Sequence, residues 1–142
     1  MIRHLVNLWI ILREGMFLIY SDDDKEEDYD FFANFIGSLY DVMTVQFHEI
    51  LRRFSTDKYK YWFIKRENVL FLGRFPLRIR DKRIVKELNH IAAKFLIRYP
   101  RDYLDNWGYS RRKFDGFSNE LKTFKELYGD FIDSLWNHST VN

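Results

Sequence analysis

An α+β sandwich, one sheet carrying helices on both of its faces, is the fold class that the sequence predicts, and three observations carry the prediction. Leu5-Val6-Asn7-Leu8-Trp9-Ile10-Ile11-Leu12 is a nearly unbroken apolar run, and only Val69-Leu70-Phe71-Leu72 reads the same way. A strand with one face in water alternates apolar and polar residues, whereas a strand covered on both faces is apolar throughout. Two such strands belong side by side at the centre of one sheet. The third observation is that apolar residues return at helical spacing in later stretches, which supplies the cover.

After the first strand, Arg13-Glu14-Gly15 makes a tight turn, and Met16 to Tyr20 reads as a second strand antiparallel to the first. The acidic run from Ser21 to Asp28 is polar enough for a loop. Its carboxylates end where a helix begins, which suits the positive end of the helix dipole, and Asp28 or Asp30 can cap exposed amides there. Tyr29 to about Val45 is predicted helical, with Phe32, Phe35, Ile36, Leu39, Val42 and Met43 forming one apolar stripe. Gly37 costs about 1 kcal/mol inside a helix relative to alanine, so either the helix weakens there or a close contact is made.

Phe47 to Phe54 is a third strand candidate, whose charged residues suit an exposed sheet edge. Ser55 to Lys58 turns the chain into a fourth strand, Tyr59 to Lys65, and Arg66-Glu67-Asn68 turns it again into the fifth, Val69 to Phe75, which Pro76 stops. Asp81 is the expected N-cap of a second helix that runs to about Arg98, with Ile84, Leu88, Ile91 and Phe95 on its buried stripe; Tyr99-Pro100 ends it. Tyr103 to Lys113 is a polar and aromatic connection, and a last helix is predicted from about Ser118 to Trp136. The topology is β-β-α-β-β-β-α-α in one domain, residues 1–142, without repeats or linkers. If the first and fifth strands are adjacent, the intervening elements provide a crossover that lets them run parallel, which makes the sheet mixed.

A chain of 142 residues buries roughly two thirds of the surface its unfolded form exposes, enough for a core without staples. Cysteine is absent, which excludes disulfides and thiolate chemistry and suits a reducing cytosol. No run approaches the roughly 20 apolar residues of a spanning helix, and the N-terminus lacks a signal-peptide layout, so a soluble, cytoplasmic protein is expected. The net charge of +2 is too small to imply nucleic acid, but its distribution is uneven. Residues 22–30 hold seven acids and one lysine, while residues 74–113 hold twelve basic residues against four acids. Such polarity can orient a partner during encounter. Aromatics at 19% predict several buried rings and an exposed set available to another protein.

Catalytic motifs are missing. His4, His48, His90 and His138 stand apart, without metal-ligand spacing. The six glycines form neither a phosphate cradle nor a dinucleotide fingerprint, and no GxSxG elbow presents a serine. The acidic run lacks the glycine and terminal glutamate of an EF-hand loop. No enzyme activity, cofactor or metal is expected.

The order of elements, with "MIRHLVNLWIILREGMFLIY" at the start and "YKYWFIKRENVLFLGRF" midway, resembles the longin domain and its SNARE-like relatives, including the small chains of clathrin adaptors. The likeness spans essentially the whole chain and lies in the pattern of strands and helices. It implies a five-stranded sheet in the order 2-1-5-4-3. It also implies a non-catalytic interaction module, a subunit or scaffold whose partner is a small GTPase, another longin or roadblock domain, or a trafficking-complex subunit, in a homo- or heterodimer. In such folds the first helix and third strand share a surface, so Tyr40, Phe47, His48, Glu49, Arg52 and Arg53 are the candidate contacts. A separate reading is peripheral binding of an anionic lipid or phosphate by the basic segment Arg74, Arg78, Arg80, Lys82, Arg83 and Lys86.

Overall fold

In the computed structural model the described residues are 4–12, 15–22, 30–100, 103–104, 114–123 and 125. Five strands, β1 (Asn7–Leu12), β2 (Gly15–Ser21), β3 (Arg53–Ser55), β4 (Tyr59–Arg66) and β5 (Val69–Pro76), form one sheet in the order β2-β1-β5-β4-β3. Helix α1 (Asp30–Val45) follows β2, and α2 (Asp81–Arg98) follows β5. Residues 115–123 form a further helical segment; of the last helix predicted from Ser118 to Trp136, residues 118–123 and 125 are described and are helical. The acidic run beyond Asp22, the Asp28 cap and the connection through Arg111, Arg112 and Lys113 lie outside the described residues.

Every pairing is antiparallel, including β1 with β5, where Trp9 faces Leu72 and Ile10 faces Phe71. The expected mixed sheet with parallel central strands is therefore corrected. The reason is a count of reversals. β2 turns back on β1, α1 returns the chain over the sheet so that β3 runs with β2, and two hairpins then leave β5 running with β2 and against β1.

The two apolar runs hold the centre because they feed two cores. Leu8 and Ile10 of β1, with Val69, Phe71 and Phe75 of β5, pack beneath α2 through Ile84, Leu88, Ile91 and Phe95. Trp9, Leu70 and Leu72 point the other way and join Ile36, Tyr61 and Phe63 beneath α1. Side-chain alternation in a strand makes this division automatic. At about 1.5–3 kcal/mol for each large side chain taken from water, these doubly covered strands dominate the stability of the fold. A bulge between Leu8 and Trp9 leaves Ile19 as an extra residue on β2, so Ile19 and Tyr20 both join the α2-side core.

Phe114, Phe117 and Leu121 complete that core from the C-terminal segment. Phe95 meets the rings of Phe114 and Phe117 at 5.6 and 5.3 Å, and Tyr99 meets Phe114 edge-on at 5.1 Å. These rings begin the segment before the predicted start at Ser118.

Two further expectations change. The third strand is three residues long and not eight: His48 adopts φ 54°, the chain from 47 to 51 runs outside the sheet, and contact with β4 begins where the Arg52 carbonyl accepts the Phe63 N–H at 2.9 Å. Arg80, not Asp81, is the N-cap of α2, without a side-chain capping bond. Asp81 instead uses its carboxylate on Lys60 and Arg53.

Candidate functional site

Helix α1 is apolar around more of its circumference than the sheet can cover. Phe32 packs on Trp9 with ring centres 4.9 Å apart, and Tyr40 on Phe63 at 5.7 Å. With Ile36 they form the covered face. Phe35 and Val42, expected on the buried stripe, are exposed, and with Phe31 and Val45 they line the outer face. The spacing 31, 35, 42 and 45 keeps all four within one narrow stripe of a helix.

The stripe continues past the end of α1. His48 enters the left-handed region, and the reversal lets the Glu49 N–H donate to the Met43 carbonyl at 2.9 Å. That turn delivers Phe47 and Ile50 to the surface, where both are exposed. Six of the nine exposed large apolar side chains among the described residues thus fall in one stretch of the chain, between Phe31 and Ile50. Isolated exposed apolar residues are ordinary, whereas a contiguous set marks a contact surface. Beside the stripe runs a cleft of about 600 Å³ between α1 and the β1–β2 hairpin, lined by Ile11, Met16, Ala33 and Gly37 and edged by Asn34 and Asp41.

The predicted contact residues divide. Phe47, His48, Glu49 and Arg52 are exposed in the loop after α1. Tyr40 is half-buried, a packing residue more than a free contact. Arg53 turns towards the other side of the sheet. It lies over the Trp62 ring at 5.5 Å and pairs with Asp81, whose second carboxylate oxygen accepts from Lys60 Nζ at 3.0 Å. The Lys60 hydrogen bond, with the charges of Lys60 and Arg53, holds the Asp81 carboxyl below its usual range. Sequence reasoning missed Phe31, Val45 and Ile50. Their signal was available as apolar residues on a helix face and loop in excess of what one sheet can cover.

The basic segment also divides. Arg74 lies on the α1 side of β5, its guanidinium 3.8 Å over the Tyr59 ring, and Arg74 Nη1 donates to Asn7 Oδ1 at 3.1 Å. Strand alternation puts it on the opposite face from α2. Arg78, Arg80, Lys82, Arg83 and Lys86 instead converge, with His4 and Ile79, on a recess of about 450 Å³ at the start of α2. Behind it Glu87 is buried and accepts the His4 backbone N–H at 3.3 Å to each carboxylate oxygen.

Among the described residues no three His, Cys, Asp or Glu side chains come together as a metal site requires. His48 and His90 are both exposed, His48 in the loop after α1 and His90 on α2. Among the described residues no helix is long and apolar enough to cross a membrane. Compared with known proteins, the chain matches no family model and no curated protein.

Proposed function

We propose that the chain is a non-catalytic, longin-like protein-interaction module, a cytoplasmic subunit or scaffold in a membrane-trafficking or small-GTPase regulatory complex. The observation that carries this reading is the apolar stripe of α1, Phe31, Phe35, Val42 and Val45, continued by Phe47 and Ile50. The sheet order β2-β1-β5-β4-β3, which the family resemblance implies, supports it from the side of the fold. A surface of this kind gains by covering its rings, and the polar loop residues His48, Glu49 and Arg52 supply a rim that discriminates between partners. The partner class is a small GTPase, a second longin or roadblock domain, or another subunit of such a complex.

The test is affinity purification from the native proteome followed by mass spectrometry, run on the wild type and on the Phe35→Asp/Ile50→Asp variant, then titration with the purified partner. A specific protein lost from the variant, with affinity lowered at least about tenfold, is expected for removal of central apolar anchors. Absence of a protein partner together with turnover of a small molecule overturns the reading, as does a partner whose affinity the variant leaves unchanged.

A further inference from the structure

We propose that the recess at the start of α2 is a binding site for a compact polyanion with clustered phosphate groups, either a free polyphosphorylated molecule or the headgroup of a phosphoinositide lipid. Residues 78–86 contain five basic side chains and one acid. Of the two carboxylates near the recess, Asp81 is held by Arg53 and Lys60, and Glu87 is buried behind it, where it accepts the His4 backbone N–H. None of Arg78, Arg80, Lys82, Arg83 and Lys86 forms an ion pair with another described residue, and all five are exposed.

Ordinary solvated lysines and arginines radiate away from one another. Here they come from two elements, the turn after β5 and the first turns of α2, and they line one concavity over the buried side chain of Ile79. Like charges around a low-dielectric floor focus their field, which raises the local concentration of an anion. Three of the five are arginines, whose planar forks match phosphate oxygens two at a time, and the two lysines add mobile point charges. The volume of about 450 Å³ lies within the range of small-molecule sites and exceeds what one phosphate fills, which favours a ligand with several. Arg74, engaged with Tyr59 and Asn7 on the opposite face, takes no part.

This site is separate from the α1 surface, so the two readings fail independently. The probes are tripolyphosphate, titrated by calorimetry, and phosphatidylcholine vesicles containing phosphatidylinositol bisphosphate, assayed by sedimentation beside charge-matched phosphatidylserine vesicles. Saturable tripolyphosphate binding that weakens with salt and falls at least about tenfold in Arg80→Gln/Arg83→Gln is the expected result, while Lys58→Gln, in the exposed turn between β3 and β4, binds as wild type does. Thermal unfolding of each variant confirms that the exposed substitutions leave the fold intact. Leu77, exposed beside Arg78, separates the two sources. If the uncharged variant Leu77→Ser weakens binding to the bisphosphate vesicles and leaves tripolyphosphate untouched, the ligand is the lipid headgroup; equal binding by both proteins to both probes assigns a free polyanion. No saturable tripolyphosphate binding, binding indifferent to Arg80 and Arg83, or equal affinity for the bisphosphate and phosphatidylserine vesicles overturns the proposal.

Discussion

Two glycines show how a single missing methyl group acquires opposite meanings. A Cβ built on Gly73 in β5 comes within 2.6 Å of the Phe75 ring and 2.7 Å of a Leu88 methyl. Both neighbours are fully buried, so neither has space to yield. Gly73→Ala is expected to lower stability by about 1–3 kcal/mol, the usual cost of overpacking a filled core. Gly37 in α1 meets nothing within 4 Å, so the close contact that would account for a glycine inside a helix is absent. Gly37→Ala is expected to raise stability by about 1 kcal/mol through helix propensity alone. Urea unfolding of the two variants against wild type checks the pair, and the same sign for both removes the packing explanation.

At the scale of elements, turns and ion pairs fix how the pieces join. The β4–β5 hairpin closes on Glu67 and Asn68 with φ 48° and 67°, and positive φ at both central positions is what a type I′ turn requires. Glutamate is a poor residue there. Replacing the two by Asn-Gly is expected to stabilise the protein by about 0.5–1 kcal/mol, seen as a raised midpoint in thermal unfolding. A second junction is Asp81, which ties the start of α2 to β3 and β4 through Arg53 and Lys60. Its pKa is lower in the folded protein than the ordinary aspartate value of about 3.9. The stabilisation is therefore complete above that value and is lost as the pH falls through the lower, folded one. Asp81→Asn is expected to reduce stability at neutral pH by no more than about 1 kcal/mol for so exposed a pair, and to flatten the decline below about pH 4. Unfolding midpoints across an acidic pH series measure both effects.

For the molecule as a whole, the sequence was informative wherever burial on two faces dictates composition. The apolar runs of β1 and β5 disclosed the centre of the sheet because nothing else demands eight or four consecutive bulky residues. Direction was not legible: apolar continuity is the same for parallel and antiparallel neighbours, and only the count of reversals through α1 decides it. Nor was the exposed half of the α1 stripe. Helical spacing reports which residues share a face, as it did for Phe32 and Ile36, but not how much of that face the sheet can reach, and Phe35 and Val42 lie beyond it. The loop after α1 was misread as strand because His48 occupies a left-handed position without the glycine or asparagine that usually announces one. The division of the basic segment, by contrast, follows from strand alternation, which sends Arg74 away from the residues that β5 hands on to α2.

That central arrangement makes a prediction about dynamics. Strands β1 and β5 are bonded to neighbours on both sides and roofed by both cores, whereas β3 is a three-residue edge that opens by local fraying. Amides at the centre of a cooperative unit exchange with solvent only when the whole unit unfolds, and those at a short edge exchange through far smaller openings. Trp9, Ile10, Phe71 and Leu72 are expected to show the slowest exchange, with opening free energies equal to that of global unfolding, and Arg53 to Ser55 to exchange orders of magnitude faster. Residue-resolved hydrogen exchange under mildly native conditions measures both. Exchange of Trp9 or Phe71 as fast as that of Phe54 would mean that the two apolar strands are not the cooperative centre, and the α1 surface and the α2 recess would then lose the rigid platform that positions them.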